Sequence, residues 1–162
     1  MRVYLGSDHA GFEVKNAVAG RLAELGHEPV DCGPSSYDPD DDYPPFVLLA
    51  ASRTAADETS LGIVLGGSGN GEAIAANKVR GVRCALAFSE ETARLGREHN
   101  NANVLSLGAR MYPVEEALRF AEIFVSTPFS DEPRHARRIA QLSGYEETGT
   151  LPELPAAPGT IG

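Results

Sequence analysis

Basic residues are scarce in this chain. Across 162 residues, 14 Lys and Arg stand against 23 Asp and Glu, a formal net charge of −9. Binding a nucleic-acid backbone requires clustered Lys and Arg, so no nucleic acid is expected as a partner. A small anion is not excluded, because local charge decides that, and Arg134, Arg137 and Arg138 form a basic run. Long apolar stretches are missing too. None approaches the roughly 18 residues needed to cross a bilayer, so no membrane role is expected. The opening Met1-Arg2-Val3-Tyr4-Leu5-Gly6 enters an apolar strand at once and meets polar Ser7-Asp8-His9. That is too short and wrongly flanked for a signal peptide, and the expected location is the cytoplasm. Cysteine is nearly absent. Cys32 and Cys84 lie in apolar strand-like runs and read as buried reduced thiols rather than a disulfide. Neither has metal-ligand spacing.

What remains is ordinary globular material, 42% hydrophobic and 23% charged, of a length that fits one domain. Short apolar strands alternate with amphipathic helices. Residues 2–6 read as a buried strand, and 11–25 as a helix with Val14, Val18, Leu22 and Leu25 on one face, closed by Gly26. A second strand over 27–31 ends at Gly33-Pro34. The acidic run Asp38, Asp40, Asp41 and Asp42, set among Tyr and Pro, reads as a solvated loop and has no calcium-loop spacing. The pattern then predicts a helix over 46–56, a strand over 61–65 and a glycine loop running into a helix through Ile74 and Ala75 to Lys78. A strand over 82–88, a helix over 90–98, a strand over 104–107 and helices near 113–126 and 131–143 follow. Buried strands alternating with helices imply a five-stranded parallel sheet covered on both faces, a three-layer α/β domain over residues 1–145. Residues 146–162 form a tail, rich in Pro, Gly and Ala from Pro152, that is disordered or packed on a neighbouring subunit.

In such sheets ligands bind beyond the carboxyl ends of the strands, where strand order reverses. Three segments fall there: Ser7-Asp8-His9, the glycine loop, and Gly108-Ala109-Arg110. The loop, Gly66-Gly67-Ser68-Gly69-Asn70-Gly71, lets backbone amides approach an oxyanion or phosphate. It lacks the Gly-Lys-Ser/Thr ending of a nucleoside-triphosphate loop and misses the dinucleotide spacing Gly-x-Gly-x-x-Gly. Glu72 follows at the start of a helix, where the dipole favours its carboxylate by about 0.3–1 kcal/mol when exposed. On position alone, Glu72 reads as a plain first-turn acid. Arg134 and Arg138 are one helical turn apart and share a face that an anion could bridge.

Gly6-Ser7-Asp8-His9-Ala10-Gly11-Phe12, then Gly67-Ser68-Gly69-Asn70-Gly71-Glu72 with Ile74-Ala75-Ala76-Asn77-Lys78, then Arg97-Glu98-His99-Asn100-Asn101-Ala102-Asn103, resemble the type B ribose-5-phosphate isomerases. The likeness runs in order over residues 2 to about 145. It implies a Rossmann-like fold, a homodimer with shared active sites or a tetramer built from it, and isomerisation of ribose 5-phosphate to ribulose 5-phosphate without metal or other cofactor. Many members carry a cysteine base at the position of Gly66. This chain is instead similar to an actinobacterial branch in which a glutamate past the loop is the base, which points to Glu72. The resemblance implies His99 as the ring-opening acid–base group, with Asn100 on a sugar hydroxyl. It implies Asp8 on sugar hydroxyls and His9 near the phosphate. Gly67, Ser68, Gly69, Asn70 and Gly71 form the oxyanion cradle, with Arg110, Arg134 and Arg138 on the phosphate. His99 and Asn100 precede the last strand whereas Arg110 follows it, so the first two are expected to serve the partner's site. The rival readings are a hexose 6-phosphate isomerase, acting on allose or galactose 6-phosphate, and a non-catalytic flavodoxin-like binding module.

Overall fold

A strand buried along its whole length must sit inside a sheet with both faces covered, and the observed topology follows from that requirement. The structure, a computed structural model, describes residues 1–154. It divides into two compact units, Met1–Ser130 and Asp131–Gly162. The first unit runs β1 (Arg2–Ser7), α1 (Phe12–Glu24), β2 (Glu28–Asp31), α2 (Tyr43–Ala56), β3 (Leu61–Gly66) and α3 (Asn70–Ala76). It continues with β4 (Cys84–Ala87), α4 (Glu90–Asn100), β5 (Val104–Gly108) and α5 (Val114–Ser126). All pairings are parallel and the strand order is β2-β1-β3-β5-β4. The three strands with long apolar runs, β1, β3 and β5, take the inner places and are buried almost throughout. The edge strands β2 and β4 are half-exposed.

Because alternate residues of a strand face opposite ways, each inner strand feeds two cores. Val14, Val18 and Leu22 of α1, with Ala117, Phe120 and Phe124 of α5, pack on Ile63, Leu65, Leu105 and Leu107. On the other face Val47, Ala50 and Ala51 of α2 and Ala76 of α3 cover Val64 and Val104. Each such apolar side chain contributes about 1.5–3 kcal/mol by leaving water.

Several boundaries differ from the sequence pattern. α2 starts at Tyr43, not 46, because Pro44 and Pro45 occupy its first turn, where a missing N–H costs nothing. β4 is shorter than 82–88, keeping only Cys84–Ala87 in the ladder. The second unit holds α6 (Pro133–Thr148), which passes through Gly144 and ends at Gly149 in the left-handed conformation (φ 70°). That helix enters the segment read as a tail. The tail beyond residue 154 lies outside the described residues. No helix among the described residues is long and apolar enough to cross a membrane.

Both thiols are free. Cys84 is only partly buried by surface, unlike Cys32, yet desolvation pushes its thiol up to about 12. Neither is an activated nucleophile.

Candidate active site

Strand order reverses between β1 and β3, which lie side by side with β2 on one flank and β5 on the other. The loops that leave these strands therefore diverge and open a crevice at the carboxyl edge. Ser7 pairs with Leu65, and Gly66 pairs with Gly108, so the three segments expected to meet do so. The Ala109 N–H donates to the Gly66 carbonyl at 2.8 Å, and the Arg110 N–H to the Gly67 carbonyl at 3.0 Å. The Ser106 hydroxyl donates to the Gly69 carbonyl at 2.7 Å. The glycine loop is thus pinned to β5 along its length.

Its glycines serve different needs. Gly69 has φ 81°, a conformation that costs other residues strain. Gly66 is not left-handed, and what it supplies is space. A Cβ built on Gly66 would fall inside the Glu72 carboxyl group. The carboxyl of Glu72 therefore fills the volume of the side chain that position 66 lacks. Gly71 is likewise packed under the Tyr43 ring, 2.8 Å from where its Cβ would stand.

Glu72 is 4% exposed. Burial pushes its carboxyl above the usual carboxylate range, and the nearby Asp8 charge adds to this. Hydrogen bonds from its own amide and from that of Gly69 oppose the shift without cancelling it. α3 is only seven residues long, so burial, not the helix dipole, dominates the environment of this acid.

Asp8 caps the short turn His9–Gly11, its Oδ1 accepting the Ala10 N–H at 3.0 Å and the Gly11 N–H at 3.3 Å. The Ser68 hydroxyl accepts from the Asn70 amide nitrogen at 3.3 Å and from its side chain at 3.2 Å, so its own proton remains to be donated. The Arg110 guanidinium lies 3.6 Å from the Cβ position of Gly67. Beside it opens a cavity of about 470 Å³ lined by His9, Glu13, Tyr37 and Arg110.

One reading of the acidic run is corrected here. Asp41 is not solvated: its side chain is 10% exposed, and Oδ1 accepts both the His9 main-chain N–H and ring Nδ1, each at 2.8 Å. That contact, above all, raises the His9 pKa, against desolvation and with help from the Asp8 and Asp41 charges. A signal for this existed. In a parallel sheet every strand-to-helix loop lies at the carboxyl edge, so the loop from β2 to α2 belongs with the other three. Donor atoms of Asp8, His9 and Asp41 lie within 4.8 Å of one another, as a metal site requires. Here, however, His9 Nδ1 and Asp41 Oδ1 are bonded to each other, and Asp8 Oδ1 is committed to two amides.

His99 and Asn100 end α4, whose cap Asn101 is left-handed (φ 44°), and they lie at the amino edge of the sheet. β5, five residues and about 17 Å long, separates them from Arg110. Arg134 and Arg138 are exposed on α6 in the second unit, with Arg134 paired to Glu132 at 2.8 Å. One chain thus brings together Asp8, His9, Gly67 to Gly71, Glu72 and Arg110, but not His99 or Asn100.

Comparison with known proteins gives a consistent answer. The family model described as Ribose/Galactose Isomerase matches residues 3–142. Ribose-5-phosphate isomerase B of Mycolicibacterium paratuberculosis is 62% identical over 98% of this chain and 100% of its own. That of Mycobacterium tuberculosis is 60% identical over 98% of both. Among solved structures, ribose-5-phosphate isomerase B from Mycoplasma genitalium with bound ribulose-5-phosphate superposes with a TM-score of 0.87. It is 38% identical, covering 91% of this chain and 97% of that one. With a matching sheet, a matching motif order and full-length relatives, the chain belongs to the Ribose/Galactose Isomerase family.

Proposed function

We propose that the chain interconverts D-ribose 5-phosphate and D-ribulose 5-phosphate in the cytoplasm, moving one proton between C2 and C1 through a cis-enediolate. The observation that carries this reading is the buried Glu72 carboxyl seated over Gly66 at the switch point of the sheet. As carboxylate it takes the C2 proton of the open-chain aldose, and as acid it returns that proton to C1. Raised proton affinity suits the task, because it makes the carboxylate a stronger base. Amides of the Gly67 to Gly71 loop and the Ser68 hydroxyl bear on the developing oxyanion, where losing one donor costs about 10²–10³ in rate. Asp8 takes sugar hydroxyls. His9 and Arg110 hold the phosphate, with Arg134 and Arg138 as further charge-assisted donors. No step requires a metal. The test is ribulose 5-phosphate formation with and without EDTA: an unchanged rate is expected, and loss on chelation contradicts the mechanism.

Ring opening needs a second acid–base group, which this reading assigns to His99, with Asn100 beside it. Their place at the amino edge supports a homodimer in which they serve the partner's site. Ile74, Phe88 and Met111, apolar yet 63%, 68% and 63% exposed, supply surface that such pairing would cover. Mixing Glu72→Gln chains with His99→Asn chains should then restore activity that neither variant has alone. Verified mixed dimers that stay inactive would rule out shared sites.

A further inference from the structure

The mechanism makes no use of Asp41, yet its geometry is costly to build. One oxygen takes two donors from the same residue, the main-chain N–H and ring Nδ1 of His9, each at 2.8 Å. The other, Oδ2, is buried with no hydrogen-bond partner. A loop that only anchored itself would avoid that cost by leaving the carboxylate in water. With Nδ1 held by Asp41, Nε2 is the ring nitrogen left for a ligand. The ring lines the cavity with Arg110 on the opposite loop, and Tyr37 packs edge-on against it, centroids 6.3 Å apart.

We propose that Asp41 is a positioning residue of the substrate site: its carboxylate locks the His9 ring so that Nε2–H and Arg110 form a two-point donor for the substrate phosphate. The proposal rests on the sugar-phosphate reading above and adds to it a residue from the acidic loop. It has a consequence in charge as well as in geometry. The groups facing His9 are Asp8 of its own turn, Glu13 of α1, Asp41 and Tyr37 of the β2–α2 loop, and Arg110 after β5. The acids favour the imidazolium and Arg110 opposes it. Hydrogen bonding to Asp41 is the largest contribution, and the net pKa is raised. His9 thus stays protonated to higher pH than a free histidine. Its charge-assisted hold on phosphate is present below the raised pKa and is lost as pH rises through it.

Asp41→Asn separates this from simple loop anchoring, because the amide oxygen still accepts both donors but carries no charge. Steady-state kinetics on ribose 5-phosphate across pH should show KM of the Asn variant rising at lower pH than in the wild type. Between the two transitions the expected gap is about tenfold, carried by KM rather than kcat. The substrate phosphate titrates near pH ~6 in both proteins and cancels in the comparison. Superimposable KM profiles would overturn the proposal and leave the isomerase reading intact. If the wild type fails to isomerise ribose 5-phosphate, that reading falls. Nitrogen-15 imidazole spectra of the wild type titrated with inorganic phosphate then decide the role of Asp41. Phosphate should perturb His9 Nε2 and not Nδ1. Perturbation at Nδ1, or no perturbation of either nitrogen, would overturn it. The spectra serve equally if the variant does not fold.

Discussion

Replacing Gly66 by alanine should abolish most of the activity although the substitution adds one methyl group. The new Cβ would fall inside the Glu72 carboxyl, so the acid must leave its seat. Forcing an extra methyl into a packed site costs about 1–3 kcal/mol in stability. The catalytic loss should be larger in effect, because a misplacement of about 1 Å at a reacting group can cost about 10²-fold. The same geometry predicts a rescue. In Glu72→Ala the seat is empty, and Gly66→Cys in that background sets a thiol where the carboxyl stood. The double variant should recover activity relative to Glu72→Ala alone, whereas Gly66→Cys with Glu72 present should be poor. The measurements are kcat and urea midpoints for the wild type and the four variants. A Gly66→Ala protein with wild-type kcat would show that Glu72 does not need this position.

Glu72→Gln is the second large effect. The amide keeps the volume over Gly66 but cannot accept a proton from carbon, so kcat should fall by about 10²–10⁴ with KM little changed. The wild type should also show an acid limb. Burial raises the Glu72 pKa above its ordinary value, so the carboxylate is lost as pH falls through that raised value. kcat should therefore decline at a pH above the usual carboxylate range. Asp8 contributes in the same direction, so Asp8→Asn should move the acid limb down, whatever it does to substrate binding. A kcat that stays flat to the ordinary carboxyl range would argue that Glu72 is not titrating in the reaction.

Much of this was legible from the residues alone. Apolar strand-like runs alternating with helical spacing marked the parallel sheet, and the rule about carboxyl edges placed three of the site segments, while the strand order emerged only in the structure. Glycine was the ambiguous letter. Four glycines in the loop read alike, yet Gly69 supplies a backbone conformation and Gly66 and Gly71 supply space. Sequence cannot tell these apart, because the neighbours that need the space, Glu72 and Tyr43, are brought there by α3 and α2. The last helix, expected to stop near 143, runs on through Gly144 to Thr148. At roughly 1 kcal/mol an interior glycine is a tolerable cost in a helix of 16 residues. Asp41 was hidden by composition. Acidic residues among prolines usually face water, and only the meeting of the β2–α2 loop with the His9 turn makes one of them largely shielded and specific.

The central claim is that Glu72 moves the substrate proton, and the fate of a label at C2 tests it most directly. Ribose 5-phosphate carrying deuterium at C2 is incubated with the wild type and with Glu72→Gln, and the label is followed by NMR. In the wild type deuterium should leave C2 and appear at C1 of ribulose 5-phosphate or in water. In the Gln variant, with substrate shown to be bound, it should stay on C2. Label leaving C2 at the wild-type rate in the Gln variant would contradict the account.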